Sequence, residues 1–171
     1  MLCMIARIDP ASRARLLKLQ GEIEALGIPV KALHGHITLA SYTGADEGAF
    51  IASCKELLSG CKAFPVAYDR IEVLASTCIV VASPRKEGLL AAVQREAAGQ
   101  WAKDLSCYTQ ADVWYPHTTL LYDPQADLVG IARRLSAAFE PFCGEVQAIE
   151  FSRVEDTGYT IVDTLELPKG R

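Results

Sequence analysis

No apolar run in this sequence approaches the roughly 20 residues that a helix needs to cross a bilayer. The opening stretch Met1-Leu2-Cys3-Met4-Ile5-Ala6 is too short for a secretory leader, and Arg7 and Asp9 interrupt it with charge. A cytoplasmic protein without a membrane partner is the expectation. Cysteine pairing is missing too: Cys3, Cys54, Cys61, Cys78, Cys107 and Cys143 form no C-x-x-C pair and no metal-knuckle spacing. They are expected to be reduced, buried and mostly structural. Basic charge is in short supply, with 17 Lys+Arg against 21 Asp+Glu and a formal charge of −4. That balance suits long nucleic acid poorly, because such ligands are held by neutralising many phosphates. A small substrate in a local pocket fits better. Disorder is excluded as well, since 50% of the residues are apolar and only 22% are charged. No linker or low-complexity stretch divides the chain, so residues 1–171 read as one domain, plain or built from two related halves.

What the sequence does contain is an alternation of strand and helix patterns. Strands are expected over 2–8, 36–42, 64–74, 78–82 and 117–122, with a final pair over 143–154 and 159–167 turning near Asp156-Thr157-Gly158. Helices are expected after Asp9-Pro10 (Leu16, Leu17, Ile23, Leu26), over 46–58, after Ser83-Pro84 (Leu89, Leu90, Val93, Trp101) and after Asp123-Pro124 (Leu128, Ile131, Leu135, Phe139). In three of the four, a polar residue followed by proline supplies the start signal.

The feature that carries chemistry is a repeated tetrapeptide. His36-Ile37-Thr38-Leu39 and His117-Thr118-Thr119-Leu120 both read H-x-T-L, and they use two of the three histidines in the chain. Each falls in an expected strand, where residues i and i+2 share a face. His36 and Thr38 therefore point together, as do His117 and Thr119, while Ile37, Leu39, Thr118 and Leu120 face a core. Two such strands facing one another surround a cavity with two imidazoles and two hydroxyls. Imidazole titrates near neutrality, so one ring accepts a proton while the other donates one. Threonine hydroxyls hydrogen-bond phosphoryl oxygens without titrating. Displacement at phosphorus needs those parts and no metal or other cofactor.

On these motifs, with Pro116 ahead of the second and 81 residues between them, the chain resembles the two-histidine (2H) phosphoesterases. That family includes the 2′-5′ RNA ligase-like proteins and the cyclic nucleotide phosphodiesterases. The resemblance spans essentially the whole chain. It implies an α+β fold of two pseudo-symmetric lobes, each a small antiparallel sheet flanked by helices, with the motifs facing across a central active-site cleft. It implies that His36 and His117 are the catalytic pair and that Thr38 and Thr119 bind phosphate, with His117 as base and His36 as acid. Ala40-Ser41-Tyr42 and Leu121-Tyr122 stand where the RNA ligase-like members often carry arginine or phenylalanine. The stretch from Tyr115 to Tyr122 is closer to the P-H-x-[S/T]-L-x-Y pattern of the cyclic phosphodiesterase branch.

Tyr42 and Tyr122 are further substrate-binding candidates, expected on the histidine face if their strands run on without a bulge. Trp114 and Tyr115 lie near the second motif and read first as ordinary strand residues, with stacking on a nucleobase as the alternative. Arg7 and Arg153 read as solvated surface charges. The expected activity is hydrolysis of a ribose cyclic phosphate, on a 2′,3′-cyclic nucleotide or a short RNA end. A 2′-5′ ligase-type or 2′,5′-phosphodiesterase activity is the alternative. From other classes come a three-histidine metal protein built on His34, His36 and His117 and a non-catalytic nucleotide-binding module.

Overall fold

Asp9 and Pro10 turn the chain from strand to helix within its first ten residues. The computed structural model describes residues 1–30, 35–155 and 158–170. Its elements in chain order are β1 (Leu2–Ile8), α1 (Pro10–Glu24), β2 (His36–Tyr42), α2 (Glu47–Leu57), β3 (Phe64–Leu74) and β4 (Ile79–Pro84). They continue with α3 (Gly88–Gln100), β5 (Thr118–Tyr122), α4 (Leu128–Ala138), β6 (Phe142–Glu155) and β7 (Gly158–Glu166). Asp9 caps α1 by accepting from Ser12 N at 2.9 Å through one oxygen, and accepts from Glu145 N at 2.8 Å through the other. One carboxylate thus fixes both the start of α1 and its seat on β6. Gly144 permits that seat, because a Cβ there would fall on the Ser12 side chain.

Two start signals act differently from expectation. Ser83-Pro84 ends β4 instead of opening a helix; Ser83 pairs with Arg70 and is fully buried. Proline holds its predecessor extended, so the same dipeptide can close a strand, and α3 begins only at Gly88. Asp123 accepts from Gln125 N at 2.8 Å in a turn, and the cap of α4 is Asp127, bonded to Gly130 N at 3.0 Å. The turn between β6 and β7 was expected at Asp156-Thr157-Gly158; Asp156 and Thr157 lie outside the described residues.

The α+β class is as expected, and the strands join into one seven-stranded antiparallel sheet. Its order is β2-β1-β6-β3-β4-β5, with β7 also on β6. The long strand β6 takes partners along both of its edges. Val146 pairs with Ile8 on one side and Phe64 on the other, so β1 runs along one edge of β6. The opposite edge takes β3 first and β7 beyond it.

One face of this sheet is apolar and covered by helices. Met4 and Ala6 of β1, Ile37 and Leu39 of β2, Val80 and Ala82 of β4, and Ile149 and Phe151 of β6 form a single cluster. Leu16 and Ile23 of α1, Phe50 of α2, Leu90 and Val93 of α3, and Leu135 of α4 pack into it. Each fully buried large side chain of this kind contributes about 1.5–3 kcal/mol. Helix α1 packs on β5 and β6, while α3 packs on β2 and β3, so each covers a motif strand from behind. That leaves the other face of the sheet for chemistry. All six cysteines are free, but only Cys3 and Cys54 are buried, and burial pushes their thiols up to about 11 and about 12. Cys107 and Cys143 are exposed, against the expectation of burial, because one lies in a connecting turn and the other points away from the core on β6. No helix among the described residues is long and apolar enough to cross a membrane.

Candidate active site

The two motif strands stand at opposite ends of the strand order, yet they touch. An edge strand leaves backbone carbonyls without a ladder partner on its outer side. On β2 those carbonyls are taken by one side chain of the other motif and one from the segment just ahead of it. Thr118 Oγ1 donates to the His36 carbonyl at 3.1 Å, and Trp114 Nε1 donates to the Thr38 carbonyl at 2.8 Å. Tyr68 OH in turn bonds Thr118 Oγ1 at 2.7 Å. The sheet curls until its edges meet, and the contact is made by the first H-x-T-L strand with Thr118 of the second and with Trp114 just ahead of it.

The alternation read from the sequence holds within each motif. Ile37 and Leu39 are fully buried and Thr118 and Leu120 are buried, whereas His36, Thr38, His117 and Thr119 are half-buried on the opposite face. His117 Nδ1 lies 2.8 Å from the Tyr115 carbonyl. A carbonyl only accepts, so the proton is on Nδ1 and the Nε2 lone pair is available. Burial pushes this imidazole below its ordinary 6.5, against the smaller opposing effect of the Tyr115 bond. A neutral ring with an available Nε2 is the form a general base needs. His36 packs edge-on against Tyr159, with ring centroids 6.1 Å apart.

Both motif strands carry a bulge at the same place. Met4 and Ile5 of β1 pair with Ala40 and Thr38, which leaves Leu39 as the extra residue of β2. Val80 and Val81 of β4 pair with Leu121 and Thr119, which leaves Leu120 as the extra residue of β5. The bulge reverses the facing of everything after it. Tyr42, six residues beyond His36, is therefore turned into the core, where it is fully buried, packs on Phe50 and donates to the Ala97 carbonyl at 2.5 Å. It does not reach the histidine face, which corrects its place among the substrate-binding candidates. Tyr122 lies five residues beyond His117, an odd step that an unbroken strand would turn away. The bulge returns it to the histidine side, and it is 63% exposed. The expectation for Tyr122 assumed an unbroken strand, on which this odd step would turn it away from the histidine side.

Residues not found from the sequence extend the site symmetrically. Thr38 pairs with Ile5, which pairs with Glu150; Thr119 pairs with Val81, which pairs with Glu72. Each phosphate-binding candidate thus has a glutamate two strands inward on the same row. Glu150 is buried and ion-paired with Arg7 at 3.3 Å; Arg7 also bonds Glu166 at 2.6 Å. Glu72 is ion-paired with Arg70 at 3.1 Å and accepts from the Tyr115 hydroxyl. Burial would raise the Glu72 carboxyl, but the bonds from Tyr115 and Arg70 outweigh it and hold it below the usual range. The signal was present in the sequence as Ile71-Glu72-Val73 and Ile149-Glu150-Phe151, a single acid flanked by apolar strand residues in each half. Trp114 is buried and structural, and Arg153 is occupied by Glu47 at 2.8 Å.

The three-histidine reading depends on His34, which lies outside the described residues. Among the described residues, no group of three His, Cys, Asp or Glu side chains is placed to hold a metal ion.

No family model matches the sequence, and no curated protein matches it. Solved structures do match. The apo form of E. coli LigT superposes with a TM-score of 0.67 at 17% identity, over 98% of this chain and 97% of that one. A protein described as a phosphoesterase matches with a TM-score of 0.64 at 18% identity, over 98% of both chains. E. coli LigT complexed with 3′-AMP gives 0.64 at 17% identity, over 97% of this chain and 96% of that one. The chain has the LigT fold, the architecture to which the two-histidine resemblance leads.

Proposed function

From this fold and this pair of motifs, we propose that the protein is a metal-independent phosphodiesterase that opens a ribose 2′,3′-cyclic phosphate. The observation that carries the reading is the His117 geometry: Nδ1 is committed to the Tyr115 carbonyl, and Nε2 is left as the base. His117 Nε2 takes a proton from water as the water oxygen bonds to phosphorus. The bond from phosphorus to one ribose oxygen breaks, and His36 delivers a proton to that oxygen, leaving a phosphomonoester. The hydroxyls of Thr38 and Thr119 donate to the non-bridging oxygens, where charge builds in the transition state. In this reading Tyr122, exposed at the far end of β5, contacts the nucleoside. The likeness to LigT, whose structures hold ATP, NADP+, 3′-AMP and phosphate, supports a small nucleotide ligand. It also supports the joining reaction as a second reading, with a 5′-hydroxyl in place of water and a 2′,5′ bond as product.

The test is hydrolysis of cyclic mononucleotides, and of a 2′,5′-linked dinucleotide, in buffer containing a chelator. The expected result is a monoester product and a loss of about 10²–10⁴-fold in kcat for His36→Ala and for His117→Ala. Near wild-type turnover by either variant, or activity that disappears on chelation and returns with zinc, would overturn the proposal.

A further inference from the structure

The segment ahead of β5 is not paired in the sheet, so nothing in the strand ladder fixes the direction of the Tyr115 carbonyl. Pro116 adds no N–H to hold it. Yet this carbonyl decides which nitrogen of His117 carries the proton. The side chains around it supply the missing constraint. The Tyr115 hydroxyl donates to Glu72, which sits on β3, two strands inward from Thr119. Glu72 is itself held by Arg70 Nε at 3.1 Å. One residue earlier, the Trp114 carbonyl accepts from Lys86 Nζ at 2.6 Å, and its indole donates to the Thr38 carbonyl at 2.8 Å. The peptide is fastened on both sides, and the Tyr115 bond is the fastening that belongs to the carbonyl's own residue. Its acceptor is an ionised carboxylate, the stronger kind of partner.

We propose that Tyr115 is a positioning residue for His117, acting through its own backbone carbonyl, with Glu72 as its anchor. The Tyr115–Glu72 bond aims the carbonyl at Nδ1 and thereby fixes the tautomer in which Nε2 is unprotonated. When the phenol loses its hold, the carbonyl turns, Nδ1 loses its acceptor and the ring redistributes toward the Nε2–H form. That form presents a proton where a base is required. The consequence for catalysis rests on the phosphodiesterase reading above; the consequence for the imidazole does not.

The two are separable by measuring the ring directly. In protein labelled with 15N at histidine, at a pH where His117 is neutral, the nitrogen shifts report the tautomer. Wild type is expected to show protonated Nδ1 and unprotonated Nε2. Tyr115→Phe is expected to move His117 toward the Nε2–H form, with the shifts of His36 unchanged. On a cyclic mononucleotide its kcat is expected to fall about 10–100-fold with KM unchanged, the scale on which outer partners of a working histidine act. Glu72→Gln is the second variant, expected to move the tautomer in the same direction by a smaller amount. It stands alone if Tyr115→Phe does not fold. A His117 ring that stays in the Nδ1–H form in every folded variant would overturn the proposal. A tautomer shift in a protein that is inactive on every cyclic phosphate would support it while removing the phosphodiesterase reading.

Discussion

His117 is neutral at neutral pH because burial disfavours its charged form, and the single bond from Nδ1 to the Tyr115 carbonyl does not compensate. Two pH dependences follow from that one residue. A base must be unprotonated, so the acid limb of kcat/KM belongs below 6.5, the ordinary value for the group. Folding responds with the matching sign. Unfolded His117 binds its proton more readily than the folded form, so its share of stability is complete above the unfolded value and is lost as pH falls through the folded value. An NMR titration of His117 should give a midpoint below 6.5. Urea unfolding at pH 7.5 and pH 5 should show His117→Asn losing less stability on acidification than wild type. A midpoint above the ordinary value would contradict both statements. The identity of this residue was legible in the sequence from the duplicated H-x-T-L; its protonation state was not. The acceptor two residues upstream and the burial that lowers the ring both come from tertiary packing.

At the scale of the strand, the decisive devices are the bulges at Leu39 and Leu120. They turn a six-residue step into a core position for Tyr42 and a five-residue step into a surface position for Tyr122. The two tyrosines should therefore separate by experiment. Tyr42→Phe removes a buried bond to the Ala97 carbonyl and should cost about 1–3 kcal/mol in urea unfolding while leaving KM unchanged. Tyr122→Ala should leave unfolding unchanged and raise KM for the nucleotide. A raised KM in Tyr42→Phe would place that residue in the site after all. The strands themselves were legible because period-2 alternation is a local property, and β1, β2 and β3 fall on the expected residues. The bulges left a fainter mark: Leu39-Ala40 and Leu120-Leu121 break the alternation with paired apolar residues, at the same offset in both copies. The acids Glu72 and Glu150 left a similar one. What no local pattern could show is that β6 would serve β1, β3 and β7 together, since pairing partners are chosen by the whole sheet.

At the scale of the molecule, activity of the proposed kind requires two histidines, one opening β2 and one just ahead of β5 at the opposite end of the sheet order, to be held at a constant separation. The sequence supplies the two residues; the closure of the sheet supplies the separation, and it is made by a few side chains on one segment. Thr118 is central to that closure. Its hydroxyl donates to the His36 carbonyl at 3.1 Å and receives the Tyr68 hydroxyl at 2.7 Å, so one buried group joins β3 and β5 to the other motif strand, β2. Thr118→Val keeps the volume and removes the hydroxyl. It leaves the Tyr68 phenol and the His36 carbonyl without this partner, and the expected cost is about 1–3 kcal/mol in urea unfolding. Tyr68→Phe should cost a similar amount while keeping the bond that crosses to His36. If that crossing bond sets the geometry of the pair, kcat falls in Thr118→Val and holds in Tyr68→Phe, although both are destabilised. Equal kcat in the two variants would mean that the Trp114 bond to Thr38 holds the edges together by itself. In that case Trp114→Phe should lower kcat where Thr118→Val does not.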